Sequence, residues 1–155
     1  MRNARSHKLF NRGVAAVEAA FLLIPLVLLA LGIAEFGRAF YQYNTIAKAT
    51  RDGARHLSMM APGTGHAAAK CLVVTGSPSC SDPALVDGLA VANVGICDAT
   101  TCAGTHANVA ADGGVPVMNL VTVTVSGYQS VNFLAWPFAG GFQFDPISTT
   151  MRQAQ

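Results

Sequence analysis

The sequence predicts an α+β fold: one long N-terminal helix followed by a small, β-containing, disulfide-bonded head. Three observations carry that expectation. An apolar run fills residues 14–34, interrupted only by Glu18. Helical periodicity continues past it towards residue 60. The remainder holds all four cysteines and one strand of regular alternation.

The bulk composition agrees. The chain has 155 residues, of which 52% are hydrophobic and only 12% charged. A soluble domain typically carries about a quarter charged residues, so a membrane segment is expected. Charge is also unevenly placed. Arg2, Arg5, Lys8 and Arg12 crowd the start, while no Lys or Arg occurs from Cys71 to Met151 and Asp82, Asp87, Asp98, Asp112 and Asp145 do. A basic head before an apolar run and a base-poor tail after it predict a cytoplasmic N-terminus and an exported C-terminus. The expected divisions are a basic leader at 1–13, a transmembrane helix at 14–34, an amphipathic extension at 35–60 and a periplasmic head at 61–155.

The leader has no apolar pattern and is expected to be disordered. Residues 14–34 would cover about 31 Å as a helix, close to the thickness of the bilayer hydrocarbon. Pro25 removes an amide in mid-helix, so a bend is expected there. Beyond Glu35, the positions Phe36, Phe40, Tyr43, Ala47, Thr50, Ala54 and Leu57 alternate in steps of four and three, which predicts the packed face. Arg38, Gln42, Thr45, Lys48, Asp52 and Arg55 fall mostly on the other side. Gly53 weakens the helix slightly, and "APGTG" at 61–65 ends it.

In the head, "CLVVTGSPSC" reads as a short strand running into a turn, and "VDGLAVANVGIC" is ambiguous between strand and helix. In "LVTVTVSGY", Val121, Val123 and Val125 alternate with Thr122, Thr124 and Ser126, which predicts a strand with one buried face. "FLAWPFAGGFQF" reads as an aromatic loop, with Trp136 and its phenylalanines as core. Residues 149–155 read as a polar end. An even count of cysteines in an exported tail predicts disulfides. Three pairings are open to Cys71, Cys80, Cys97 and Cys102; local closure favours Cys71–Cys80 and Cys97–Cys102. The spacing does not suit zinc, and His66 and His106 read as solvated loop residues.

Glu18 is the oddity of the apolar run, and three readings of residues 1–34 compete. A secretory signal would be cut near Gly32-Ile33-Ala34, giving a secreted small disulfide domain. An uncut signal anchor would leave a single-pass envelope binding protein. The third reading uses the basic leader, the glycine at its end and the carboxylate five positions on. This combination resembles the type III signal of type IV pilins and pseudopilins, cut by a membrane prepilin peptidase after the glycine. Here that is Gly13, with Val14 as the new terminus and Glu18 as its fifth residue.

"GVAAVEAAFLLIPLVLLALGIAEFGRAF" with "ATRDGARHLS" narrows the resemblance to the TadE-like family of tight-adherence (Tad, Flp) pilus systems. Gly13, Glu18, Pro25, the Gly32–Glu35 stretch, Gly37-Arg38 and the Arg51-Asp52-Gly53-Ala54-Arg55 block carry it. The C-terminal "VTVTVSGY…ISTTMRQ" resembles that family's closing strand. The chain has valine where pilins often carry phenylalanine after the cut. The resemblance implies a pilin-like fold and a minor pilin or pseudopilin acting in pilus biogenesis and adhesion. It implies cleavage at Gly13/Val14, assembly roles for Glu18 and Pro25, and a possible interaction role for Arg51, Asp52 and Arg55. The implied location is the bacterial inner membrane, crossed once with the C-terminus in the periplasm; passage into an extracellular pilus is left open. Implied partners are the prepilin peptidase, other pilins and pseudopilins, and the assembly platform.

No catalytic motif stands out, and the aspartates form no close pair in sequence. No enzyme activity, cofactor, metal, nucleic acid or small-molecule substrate is expected.

Overall fold

An apolar run flanked by helix formers, with no glycine or proline pair to break it, favours one continuous helix. The computed structural model describes residues 4–110, 117–130 and 142–153. In it α1 runs from Ala4 to Ser58 with Pro25 inside it. The helix therefore passes without a break through the expected limits at residues 13 and 34. The leader, expected to be disordered, is helical from Ala4, because nothing in the sequence caps the helix at Gly13. Arg55 and His56 occupy the last turn, where cations favour the negative end of the helix dipole.

The chain forms two compact units, residues 1–38 and 39–155. In the first, the apolar side chains from Val14 to Ile33 stand exposed, Phe21 at 74% and Leu22 at 67%. This helix is long and apolar enough to cross a membrane, consistent with single-pass anchoring.

In the second unit, α1 is followed by α2 (His66–Thr75), a 3₁₀ turn (Val91–Asn93), β1 (Val94–Cys97), α3 (Ala103–His106), β2 (Val109–Ala110), β3 (Val117–Val125) and β4 (Ile147–Gln153). β3 is the centre of an antiparallel sheet. Val94–Cys97 of β1 pairs with Val125–Thr122 of β3. β4 pairs along Asn119–Val125, placing Gln153 opposite Asn119 and Ile147 opposite Val125. β2 adds a short ladder at Val117 and Met118. Val121, Val123 and Val125 are buried as their alternation predicts, and the threonines between them lie on the opposite face. The core joins these valines to Val94, Ile147, Val73, Val74, Ala69, Ile46, Ala54 and Leu57.

Three further expectations need correction, and one left open is settled. Residues 71–75, read as a strand, are the second half of α2. The alanines ahead of them favour helix, and burying Ala69, Val73 and Val74 together needs a helical face. Gly76 then ends the helix at φ 77, its N–H bonded to the Leu72 carbonyl. The ambiguous segment before Cys97 is both a 3₁₀ turn and a strand. The end read as polar is the edge strand β4, as the resemblance of "ISTTMRQ" to a closing strand implied, and its Ile147 and Gln153 turn inward.

The packed face of α1 matches the expected one only in its C-terminal half, where Thr50, Ala54 and Leu57 are fully buried. Phe36 and Phe40 are exposed at 64% and 61%, whereas Ala39, Gln42, Ile46, Ala49 and Gly53 are buried. Small side chains let the head approach the helix axis, which bulky aromatics would prevent. Gly53 has the tightest approach: a Cβ there would stand 2.6 Å from Val73 Cγ2. Trp136 and most of the aromatic loop lie outside the described residues, as does Asp112.

Candidate assembly site

In the first unit the residues of interest share one helix. Gly13 and Val14 precede Glu18 by five and four positions, so helical rise places the Val14 backbone nitrogen about one turn from Glu18. Val14 and Glu18 are both exposed. A Cβ at Gly13 would meet nothing within 4 Å, and the same holds at Gly32 and Gly37. Among the described residues there is therefore no packing reason for glycine at position 13. Pro25 sits in the exposed apolar stretch. Farther along, Arg51, Asp52 and Arg55 are exposed on α1. Among the described residues they form no ion pair, the one pair there being His66 with Asp98.

The head is held by contacts that the sequence shows only in part. Cys71 pairs with Cys80 and Cys97 with Cys102, the pairing that short loops favour. The Thr50 and Thr149 hydroxyls lie 3.2 Å apart, linking α1 to β4. Gln153 Nε2 donates to the carbonyls of Leu57 and Met60 at 3.3 and 3.4 Å. It thereby adds a partner to one carbonyl in the last turn of α1 and one just beyond it.

Asp98 is the best-satisfied polar group. Its side chain is fully buried. Oδ1 accepts the N–H and hydroxyl of Thr100 at 3.0 and 2.7 Å, and those of Thr101 at 2.9 Å each. Oδ2 accepts the Gly63 N–H at 2.8 Å and His66 Nε2 at 2.7 Å. A carboxylate only accepts, so His66 presents Nε2–H to it. Burial by itself pushes the Asp98 carboxyl up; the donors from Thr100, Thr101, Gly63 and His66 outweigh it and hold the group well below the usual carboxylate range. The cage ties the α1–α2 connection to the loop after β1. Only the Asp-Ala-Thr-Thr spacing, typical of an Asx turn, hints at it in the sequence.

The histidines, expected to be solvated, are both engaged. His106 Nε2 lies 2.8 Å from Thr122 Oγ1, which lies 2.7 Å from Thr150 Oγ1. Its Nδ1 is 2.7 Å from Thr105 Oγ1 and 3.7 Å from Cys97 Sγ. The ligand atoms of Cys97, Cys102 and His106 lie within 4.8 Å of one another. Both sulfurs are consumed in a disulfide, however, and a metal is bound by thiolate. An open groove of about 460 Å³ between α1 and α2 is lined by Tyr41, Lys48, Asp52, Leu72 and Leu85 among others.

This geometry presents an exposed apolar helix with a carboxylate near its start and a small cross-linked head. Residues 13–55 match the TadE-like protein family. The TadE-like segment opens at Gly13, takes in Glu18 and Pro25, and closes at Arg55. It therefore contains the exposed apolar stretch and the part of α1 that carries the head, while residues 56–155 lie outside it. No curated protein and no solved structure matches the chain.

Proposed function

We propose that this chain is a minor pilin or pseudopilin of a Tad (Flp) pilus system. In this reading it is inserted in the bacterial inner membrane with its head in the periplasm, cut by prepilin peptidase after Gly13, and recruited by its long helix to other pilins and the assembly platform. It acts in pilus biogenesis and adhesion as a structural subunit, not a catalyst. The single observation that carries the reading is the TadE-like match, which begins at the glycine of the leader and includes the acid of the apolar helix.

Physical arguments support it. Glycine at position 13 has no packing cause among the described residues, and a residue without a side chain leaves the backbone open to a protease. Cleavage would remove the leader's bases and free an ammonium group at Val14. A lone carboxylate costs about 2.5–3.5 kcal/mol at mid-membrane and less near the edge. An ammonium partner offsets that cost, either within the same helix or from a neighbouring subunit. The second arrangement would fix the stagger between subunits. Arg51, Asp52 and Arg55 are then surface for other components.

The Glu18→Ala variant tests the assembly role. Membrane fractionation should find it inserted as the parent is, while co-isolation with other pilus components is lost. Normal co-isolation of that variant would refute the role assigned to Glu18.

A further inference from the structure

The turn from Cys97 to Cys102 is held by more than its disulfide. The Cys102 N–H donates to the Asp98 carbonyl at 2.8 Å, and the N–H groups of Thr105 and His106 both donate to the Cys102 carbonyl at 3.0 Å. The Asp98 N–H donates to Thr101 Oγ1 at 2.9 Å, and the Asp98 carboxylate gathers the same turn around itself. On the other side, β1 anchors Cys97 opposite Thr122. Breaking the sulfur–sulfur bond therefore frees two thiols without dispersing them, and it does so beside an imidazole. Cys97, Cys102 and His106 are all half-buried, so solvent reaches them. Among the described residues no other three His, Cys, Asp or Glu side chains stand close enough to share a metal ion.

We propose that the reduced head binds zinc through Cys97 Sγ, Cys102 Sγ and His106 Nδ1. A dithiol supplies the two electrons: it breaks the Cys97–Cys102 bond and leaves as a disulfide, and both cysteines become thiols. Zinc then takes their thiolates, and the two protons go to water. His106 Nδ1 lies 3.7 Å from Cys97 Sγ. With Zn–N about 2.0 Å and Zn–S about 2.3 Å, a nitrogen and a sulfur on one tetrahedral ion stand about 3.5 Å apart, so the imidazole is already in place. The freed sulfurs need only part to about 3.8 Å, the separation of two thiolates on one zinc. In the zinc form His106 Nε2–H donates to Thr122 Oγ1, 2.8 Å away and itself 2.7 Å from Thr150 Oγ1. That backing bond fixes the ring and the tautomer that leaves Nδ1 to the metal. Thr105 Oγ1, 2.7 Å from Nδ1, gives up that contact and keeps the Cys102 carbonyl, 3.3 Å away, as its acceptor. Three protein ligands leave the fourth position to water. Disulfide and zinc exclude each other, because both use the same sulfurs. The spacing of the cysteines argued against zinc in the sequence; the turn around Asp98 and the helical step from Cys102 to His106 supply the geometry instead. The inference does not rest on the subunit reading above.

The test uses the full chain carrying Cys71→Ser/Cys80→Ser in nonionic detergent, reduced with a dithiol and freed of it without air. Zinc is titrated in competition with a chromophoric chelator. The reduced chain should bind one zinc and the oxidised chain none. His106→Ala should weaken binding by more than tenfold, and Thr122→Val, which removes only the backing hydroxyl, by about tenfold. If the serine variant loses cooperative thermal unfolding, the reduced parental chain makes the same comparison, since its Cys71–Cys80 pair has no third ligand of these kinds among the described residues. No zinc on the reduced chain, equal binding by the oxidised chain, or an affinity indifferent to either substitution overturns the proposal. Because no peptidase or pilus is involved, that failure leaves the Glu18 test untouched.

Discussion

At the scale of single residues, Asp98 shows how a short polar motif fixes a loop-rich head. Six donors converge on a carboxylate with no access to water, and an amide in its place would aim its own N–H groups at donors. Asp98→Asn should therefore lower the unfolding free energy of the head by about 2–3 kcal/mol, measured by denaturant titration at neutral pH. The sign of the pH dependence follows from the depressed folded-state value. Stabilisation by Asp98 is complete above the ordinary carboxyl value of 3.8 and is lost as the pH falls below it towards the folded-state value. The difference in stability between parent and Asp98→Asn should accordingly shrink as titrations are moved to acid. A difference that stays constant with pH would contradict an ionised Asp98. Glycine divides the same way at this scale: Gly53 is required by a neighbour, and Gly13 by none of the described residues.

At the scale of elements, α1 does two jobs with different faces. Its 3.6-residue periodicity was legible, and so was the burial of Thr50, Ala54 and Leu57, but the rest of the stripe that faces the head was not. Of the aromatic positions that give the stronger hydrophobic signal, Phe36 and Phe40 stay exposed and Tyr43 meets the head through an edge contact with Phe144, while closer packing uses Ala39, Ile46, Ala49 and Gly53. Close approach depends on shape, and hydropathy does not encode shape. Gly53→Ala makes this measurable. Helix propensity alone would give about 1 kcal/mol of stabilisation. The new Cβ, 2.6 Å from a stiff, fully buried valine, should reverse the sign. We expect a net loss of about 1–2 kcal/mol in denaturant unfolding, reduced when Val73→Ala is added. Stabilisation by Gly53→Ala alone would show that the helix and α2 are not in close contact. Likewise, the valines of α2 suggested a strand, and the alanines ahead of them together with the glycine behind decided for helix.

At the scale of the whole molecule, the fold class, the long helix, the central strand β3 and the presence of disulfides were all legible. Composition, alternation and cysteine placement report them directly. The Gly63 and His66 contacts of the Asp98 cage and the engagement of His106 with Thr122 were not, because they join residues far apart in sequence through hydrogen bonds that no periodicity marks. The functional account rests on the start of the chain. An exposed apolar helix, a glycine without a packing role among the described residues and one acid near the start of the apolar run fit together if the backbone is cut between Gly13 and Val14. The most direct measurement is the N-terminal residue of the chain isolated from its native membrane, by Edman degradation or peptide mass. The account predicts Val14. Met1 would mean an uncut anchor, a residue near Glu35 would mean release by signal peptidase, and either result would contradict it.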